Sequence, residues 1–187
     1  MDEPIFEPLL RRMRLARVLP TIARHRDCRL LDIGCGWEAR LLFEVEPYVR
    51  EAVGIDFKAP EIEHPKLRTL AVTLDKRLPF EDQSFDVVTL LAVLEHLSHP
   101  RAMLEEISRV LRPGGEVVLT VPSKAAKPVL EFLAYRLKVV SQAEIRDHKE
   151  YYDRRSLHEI FAGTGLRVER HAYFQLGMNN FLCATKI

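Results

Sequence analysis

Two acids and two glycines early in the chain form a pattern that could hold a small ligand. Asp32, Gly34 and Gly36 follow one apolar segment, and Asp56 closes the next one. At the carboxyl edge of a parallel sheet, two glycines let a ligand lie directly against the backbone. The carboxylate of Asp56 can accept hydrogen bonds from both hydroxyls of a ribose. The spacing therefore predicts a crevice that binds a nucleoside.

Asp32 distinguishes between two classes of ligand for this crevice. The segment from Gly34 to Ala39 matches the G-x-G-x-x-A pattern of dinucleotide-binding turns. A pyrophosphate would have to lie beside Asp32, however, and the two like charges would repel each other. The same carboxylate suits a ligand that carries an ammonium and a sulfonium. The alternative without a ligand is that Asp32 caps a helix or turn and that the glycines only tighten the backbone.

A second group of side chains has the chemistry to act on a bound substrate. It comprises Glu95, His96, His148 and Tyr151. His96 is the candidate catalytic residue, because an imidazole can accept a proton near neutral pH. The other three are candidate substrate contacts. The structural alternative is that Glu95 and His96 cap a loop and that His148 bonds only to its own loop.

Composition limits the class of protein to an ordinary globular domain. The chain has 187 residues, of which 47% are hydrophobic and 29% charged, so we expect one domain over 1–187. The net charge of +1 favours no nucleic-acid partner. No segment has the length and hydropathy of a membrane span or of a signal peptide, which predicts a cytoplasmic location. The scattered Cys28, Cys35 and Cys183 predict reduced thiols and no metal site.

Alternating apolar and helical segments must position these residues. The predicted strands are Leu30–Ile33, Ala52–Asp56, Leu67–Val72, Phe85–Leu91 and Glu116–Val121, followed by a hairpin of Arg167–Phe174 and Asn180–Lys186. Predicted helices cover Ile5–Leu19, Arg40–Glu46 and Ala102–Leu111, with Pro20 interrupting or ending the first. Nearly continuous apolar strands that alternate with helices indicate an α/β fold whose parallel sheet is covered on both faces. The hairpin predicts one antiparallel strand at the C-terminal end.

Two segments outside this alternation are predicted to shape access to the site. Residues 1–28 form an N-terminal helical lid or cap, and seven arginines lie between Arg11 and Arg29. These arginines form either a solvated helix face or a surface that attracts an anionic acceptor. Residues 124–163 form a helical insert that specifies the acceptor. Its apolar part, with Leu130, Leu133, Tyr135 and Leu137, could line an acceptor pocket, form a homodimer interface or contact lipid.

Four sequence segments together resemble the class I S-adenosylmethionine-dependent methyltransferases, in particular the small-molecule, methyltransferase type 11-like group. They are LLDIGCGWE (30–38), VGID (53–56), LPFEDQSFDVVTLLAVLEHL (78–97) and RVLRPGGEVVLTVP (109–122). The resemblance implies a Rossmann-like, doubly wound, seven-stranded sheet with one antiparallel strand. It also implies S-adenosyl-L-methionine as the cofactor and a small-molecule acceptor.

The resemblance also implies roles for individual residues of the cofactor site. Asp32, Gly34, Cys35 and Gly36 would hold the methionine moiety, and Asp56 and Phe57 would hold the ribose and adenine. Leu74 or Asp75 would frame the adenine, and Leu91 and Ala92 would face the sulfonium. Trp37 would either pack against the sheet or contact the ligand. The group commonly has a third glycine where this chain has Glu38, which could narrow the methionine pocket.

The expected function is methyl transfer to an oxygen, nitrogen or carbon atom of a small molecule by in-line displacement. Because the donor is already activated, alignment and exclusion of water can supply most of the rate acceleration, and no nucleophilic residue is required. Two alternatives remain open. One is an NAD(P)-dependent oxidoreductase that uses the same crevice. The other is a non-catalytic module with the same fold that binds the cofactor or a partner, and Glu38 is the residue that favours it.

Overall fold

The computed structural model describes residues 7–74, 77–133 and 146–187. The strands are β1 (Cys28–Ile33), β2 (Val49–Asp56), β3 (Leu67–Ala71), β4 (Phe85–Leu91), β5 (Leu111–Pro122), β6 (Leu166–Phe174) and β7 (Asn179–Lys186). The helices are α1 (Glu7–Ile22), α2 (Arg40–Val45), α3 (Pro100–Val110), α4 (Ala126–Phe132) and α5 (Arg154–Phe161), with short 3₁₀ turns at Glu46–Tyr48 and Leu94–His96. No helix among these residues is both long and apolar enough to cross a membrane.

One seven-stranded sheet holds the chain together, in the order β3-β2-β1-β4-β5-β7-β6. β1 lies at its centre, pairing in parallel with β2 (Leu31 opposite Val53) and with β4 (Leu31 opposite Val88). β7 inserts between β5 and β6 and runs antiparallel to both. The predicted doubly wound sheet with one reversed strand is therefore confirmed.

The two faces of the sheet are buried by different helices. Neighbouring residues of a strand point to opposite faces, so Leu31 packs with Met103 and Leu104 of α3, whereas Leu30 packs with Val18 of α1 and Leu42 of α2. Helix α5 adds to the α3 face. The near-continuous apolar strands follow from this arrangement, because each strand must supply a core on both sides.

Helix α1 continues through Pro20, which was predicted to interrupt or end it. Proline lacks the N–H that would bond one turn back, a loss that usually breaks a helix. Here Val18, Thr21 and Ile22 are buried against the sheet. That burial stabilises the last turn and carries the helix to Ile22.

The C-terminal hairpin fastens the exposed start of α1. The side-chain amide of Gln175, in the turn between β6 and β7, donates a hydrogen bond to the backbone oxygen of Leu10 over 2.9 Å. At the other end of the helix, His25 and Arg24 bind Glu116 of β5. These contacts hold α1 across the face of the sheet that carries Leu30.

The structure revises the bounds of two other elements. β5 begins at Leu111, earlier than the predicted Glu116, because the strand pairs with Phe85 before the turn at Gly114 and Gly115. The segment 124–163 is only partly helical: between α4 and α5, Tyr152 forms a β-bridge with Ser123. Leu130 and Leu133 are half-buried, whereas Tyr135 and Leu137 lie outside the described residues.

Candidate functional site

The turn between β1 and α2, residues 34–39, has a backbone that requires glycine. Gly34 and Gly36 have φ angles of +78° and +71°, in the left-handed region. The N–H groups of Gly34 and Cys35 both donate to the carbonyl of Ile55, over 2.8 and 3.1 Å, which ties the turn to β2. A Cβ on Gly34 would overlap the side chain of Val93, whereas a Cβ on Gly36 would point into open space. The open side of Gly36 is where a ligand can approach the backbone.

Asp32 is a buried carboxyl group at the end of β1. Its exposed fraction is 3%, and it accepts a 2.7 Å hydrogen bond from the hydroxyl of Thr89 on β4. Burial raises its pKa to about 7; the Thr89 hydrogen bond lowers the pKa and the charge of Asp56 raises it. Helix α2 begins after Ala39 with no side-chain cap, so Asp32 does not cap that helix. A buried carboxyl held this way is suited to a cationic ligand group.

Asp56 is fixed between the turn and the loop after β2. One carboxylate oxygen accepts from the N–H of Gly36 over 3.1 Å, and the other accepts from the N–H of Lys58 over 2.9 Å. Each oxygen keeps acceptor capacity for a further donor. Phe57, next along the chain, is 67% exposed and lies under the ammonium of Lys58 at 5.0 Å.

A cavity of about 240 Å³ opens above the turn. Six predicted cofactor residues line it, namely Asp32, Gly34, Cys35, Gly36, Trp37 and Leu91. Trp37 is 66% exposed and therefore is not part of the core. The structure brings these residues together around one space, which we call the cofactor cavity.

Helix α1 covers this cavity with side chains that the sequence pattern did not assign to it. Arg11, Arg14 and Leu15 line the space opposite the turn. The Nε atom of Arg14 is buried and has no hydrogen-bond partner. The i, i+3, i+4 spacing of these residues places them on one helix face. This spacing could have identified the helix face from the sequence, but the neighbouring arginines obscured the pattern.

Glu38 lies at the rim of the cofactor cavity. It forms an ion pair with Arg40 at the start of α2. Its charge is thereby compensated by a neighbour, and its side chain is about one-third exposed, at 35%. The residue in the place of the usual third glycine is thus paired with Arg40, and it lines the cavity together with Asp32.

Cys35 is a small packing residue of the same turn. A Cβ on Gly54 of β2 would come within 2.9 Å of its Cβ and Sγ atoms, so the two residues pack closely. Burial, followed by the charges of Asp32 and Asp56, raises the pKa of the thiol to about 12. The thiol therefore stays protonated at neutral pH and is a poor nucleophile.

Glu95, His96 and His148 come together beyond the end of β4, and we call them the Glu95 cluster. Glu95 is 1% exposed, and its Oε2 atom has no hydrogen-bond partner. The rings of His96 and His148 lie 4.8 Å apart. The predicted substrate residues therefore form one group, although His148 is 52 positions from His96 along the chain.

The members of the Glu95 cluster differ in charge state. Burial raises the pKa of Glu95 to about 7, while a backbone hydrogen bond and the charge of Arg14 lower it. Burial and the neighbouring His96 lower the pKa of His148 to about 4, while Asp147 raises it. His148 is therefore neutral at pH 7. The effect of Arg14 on Glu95 shows that the cluster lies next to the cofactor cavity.

Outer partners orient both imidazoles of the cluster. The Nδ1 atom of His96 lies 2.9 Å from a carboxylate oxygen of Asp147. The Nδ1 atom of His148 lies 3.0 Å from the hydroxyl of Tyr151, and the two rings meet edge to face. His148 thus forms the hydrogen bond within its own loop that the structural alternative predicts, and it also contacts His96.

A more open depression of about 710 Å³ adjoins the cluster, and we call it the basic basin. It is lined by His148 and Tyr151 together with Lys124, Lys127, Arg146, Lys149, Glu131 and Glu150. The four basic side chains outnumber the two acidic ones. Because Asp153 pairs with Lys124 over 2.7 Å, the basin keeps an excess of one basic side chain, which favours anionic ligands.

Some predicted cofactor residues lie away from the cofactor cavity. Leu74 lines a separate cavity of about 100 Å³ with Leu97, Ser98, His99 and Met103. Ala92 has a positive φ and donates its N–H to the carbonyl of Thr120 over 2.9 Å, which ends β4 without lining the cavity. Asp75 falls outside the described residues. His99 and His158 are exposed, as predicted for surface residues.

Comparison with known proteins agrees with this fold. A methyltransferase domain family matches residues 8–171. The chain belongs to this family, and its sheet has the class I methyltransferase fold. The predicted family and cofactor are confirmed. The small-molecule acceptor stays a prediction.

A curated relative is the demethylmenaquinone methyltransferase of Staphylococcus aureus (strain JH9). It is 34% identical over 125 residues, which cover 62% of this chain and 52% of the relative. The chain therefore spans about half the length of the curated relatives it matches.

Solved structures share the fold at low sequence identity. One is the methyltransferase in a Haloferax volcanii complex with the Trm112 methyltransferase activator, with TM-score 0.72 and 17% identity, covering 100% of this chain and 99% of that one. Another is an S-adenosylmethionine-dependent methyltransferase from Aquifex aeolicus, with TM-score 0.67, 18% identity and full coverage of both chains.

Proposed function

We propose that this chain transfers a methyl group from S-adenosylmethionine to a small-molecule acceptor bound beside the Glu95 cluster. The observation that supports this most strongly is the cofactor cavity, in which a buried carboxyl and an arginine with a partnerless Nε face one space next to an open glycine backbone. When bound, S-adenosylmethionine supplies an activated methyl group on a sulfonium. The residues of the chain then have to bind, align and shield it.

Complementary charges fit Asp32 and Arg14 to the amino-acid end of the cofactor. Asp32 takes the ammonium group, and the guanidinium of Arg14 takes the carboxylate. Gly34, Cys35 and Gly36 let this end lie against the backbone. The open side of Gly36, where an added Cβ would meet no atom within 4 Å, supports this fit.

The remaining cofactor contacts extend from the turn towards β2 and β4. Asp56 accepts from the ribose hydroxyls, because its two oxygens are already oriented by Gly36 and Lys58. The exposed ring of Phe57 stacks on the adenine with the face that Lys58 does not cover. Leu91, at the end of β4, faces the sulfonium. Trp37 covers the cavity, and its exposed ring limits the entry of water.

His96 is the proposed proton acceptor for an acceptor group that must lose a proton. Asp147, 2.9 Å from Nδ1, favours the tautomer that presents Nε2 as the base. His148 is neutral at pH 7 and supplies a hydrogen bond rather than a charge. The hydroxyl of Tyr151 orients the His148 ring. Glu95 is proposed as a further acceptor contact, since its free Oε2 has no partner.

The basic basin favours an acceptor that carries a carboxylate or a phosphate. Its lining has two more basic than acidic side chains, and it opens directly onto His148. A quinone-type acceptor is the second candidate. It is favoured by the name of the S. aureus relative and by the exposed Val129 (39%) and Phe132 (53%) on α4. A cytoplasmic location and a possible homodimer remain predictions.

Calorimetric titration with S-adenosylhomocysteine, and separately with NAD, tests the cofactor assignment. We expect binding of S-adenosylhomocysteine alone, lost in Asp56→Ala and retained in Asp82→Ala, whose carboxylate binds Arg109 away from the cavity. Binding of NAD alone would overturn the proposal in favour of an oxidoreductase. Transfer of labelled methyl to carboxylate- or phosphate-bearing compounds, compared with quinones, then identifies the acceptor class. Cofactor binding with no turnover on any acceptor would favour the non-catalytic module.

A further inference from the structure

The Glu95 cluster has the composition and arrangement of a metal site that the sequence did not predict. Glu95, His96 and His148 each present one potential ligand atom, and these three atoms lie within 4.8 Å of one another. Two imidazoles and one carboxylate are the ligand types that first-row transition metals prefer. Magnesium and calcium prefer all-oxygen sites, so the two imidazoles disfavour them.

The carboxylate of Glu95 is an independent indication that a ligand belongs here. A buried carboxylate oxygen without a partner costs free energy, and native structures rarely leave one. Oε2 of Glu95 is in that state although the side chain is 1% exposed. Its backbone carbonyl, by contrast, accepts from the N–H of Lys149 over 2.8 Å, which holds the two segments together. A cation among these three residues would satisfy the free oxygen.

The partners of the two imidazoles resemble those of metal-bound histidines. A coordinating histidine almost always uses its other ring nitrogen to bond an outer carboxylate or similar group. Nδ1 of His96 bonds Asp147, and Nδ1 of His148 bonds the Tyr151 hydroxyl. Nε2 of each ring is then the nitrogen left for coordination.

The required adjustment is small. Bonds of about 2.1 Å in a tetrahedral or octahedral shell place ligand atoms roughly 3 to 3.4 Å apart. The present separations of up to 4.8 Å exceed these values by about 1.5 Å, a distance that rotation of the three side chains can close. Arg14 is the nearby cation, and it does not occupy Oε2.

We propose that Glu95, His96 and His148 bind one divalent first-row transition-metal ion, of the Zn²⁺ or Co²⁺ type, with coordination positions left open towards the basic basin. Water or an oxygen of the acceptor would fill the open positions. Coordination of the acceptor rests on the proposed function, whereas binding of the metal ion does not. In the metal-bound chain His96 is a ligand, and it no longer serves as the base.

The experiment is a titration of the tag-free, chelator-treated chain with Co²⁺, followed by the visible absorption of the bound ion and by competition with Zn²⁺. We expect one Co²⁺ per chain, displaced by Zn²⁺. Binding should weaken by about tenfold or more in Glu95→Gln and in His148→Ala. The matched control is His99→Ala, an exposed histidine close to the cluster in sequence, which should bind as the unsubstituted chain does.

Two further measurements make the outcome decisive. The unfolding midpoint and the affinity for S-adenosylhomocysteine are measured for each variant, so that loss of metal binding in a folded chain is distinguished from loss of fold. No uptake of Co²⁺ by the unsubstituted chain, or equal affinity in His148→Ala and His99→Ala, would overturn the metal site. Failure to bind S-adenosylhomocysteine alongside normal Co²⁺ uptake would count against the proposed function and leave the metal site supported.

Discussion

Replacing Asp32 with asparagine should stabilise the fold and weaken cofactor binding at the same time. Asparagine has nearly the same shape and can still accept the hydrogen bond from Thr89. It removes only the charge that burial disfavours. A buried charge that lowers stability indicates a functional site, because the charge is useful only when a ligand compensates it.

The size of the stability effect follows from the pKa of Asp32, which burial raises from 3.8 to about 7. A carboxyl with a raised pKa stabilises the folded state below pH 4, and this contribution is lost as the pH rises to 7. Above pH 7 the buried charge lowers the free energy of unfolding by about 4 kcal/mol relative to a neutral side chain, at 1.36 kcal/mol per pKa unit. The free energy of unfolding of the asparagine variant, relative to that of the unsubstituted chain, should therefore increase by about 3 kcal/mol between pH 5 and pH 8.

Cofactor binding should show the opposite dependence on pH. Only the ionised form of Asp32 pairs with the ammonium group, so the affinity for S-adenosylhomocysteine should fall about tenfold from pH 8 to pH 6. The asparagine variant should bind more weakly at pH 8 and lose this dependence. Urea unfolding and calorimetric titration at each pH measure the two effects.

Asp27→Asn is the matched control, because Asp27 is exposed and the substitution makes the same change in charge. Asp27→Asn should change neither the pH dependence of the free energy of unfolding nor the pH dependence of the affinity for S-adenosylhomocysteine. An asparagine variant at position 32 that binds S-adenosylhomocysteine with undiminished affinity would refute the assignment of Asp32 to the ammonium. An unchanged stability difference between pH 5 and pH 8 would refute the raised pKa.

Two further predictions concern the turn and the helix that enclose the cofactor cavity. Gly36→Ala should lower the free energy of unfolding by about 1–2 kcal/mol, because alanine is strained in the left-handed region. Gly34→Ala should lower it by about 1–3 kcal/mol more, because the added Cβ overlaps Val93. Urea unfolding measures both effects, and equal losses of stability would contradict the packing of Gly34 against Val93. Arg14→Gln should weaken binding of S-adenosylhomocysteine about tenfold to a hundredfold, since a hydrogen bond to a charged group is lost, whereas the exposed Arg12→Gln should not. Calorimetry that gave the same affinity for both arginine variants would remove Arg14 from the site.

The sequence predicted the centre of the site because the chemistry there is local. Asp32, Gly34 and Gly36 lie within five positions, and the strand that precedes them fixes where they end up. The nearly continuous apolar strands that alternate with helices likewise predicted the sheet, because a strand that is buried on both faces is apolar along its length. The reversed β7 was predictable from the hairpin that joins it to β6.

The contributions that come from distant segments could not be predicted. Arg14 reaches the cofactor cavity only because α1 packs across the sheet, and its helical spacing from Arg11 and Leu15 does not by itself say which helix face turns to the cavity. His96 and His148 were both predicted for the substrate site, but 51 residues lie between them, so the contact of their rings has no local signal in the sequence. Pro20 gave a wrong prediction of where α1 ends, because local preference is weaker than the burial of Val18 and Ile22.

The hydrogen bond from Gln175 to Leu10 has a consequence for how the chain becomes functional during synthesis. The segment that covers the cofactor cavity leaves the ribosome before the sheet that it covers, whereas the residue that holds its outer end is 165 positions later. A nascent chain can therefore form the glycine turn long before it can retain a ligand there. Pulse-labelled ribosome-bound chains of increasing length should acquire protection by S-adenosylhomocysteine only after the hairpin has emerged.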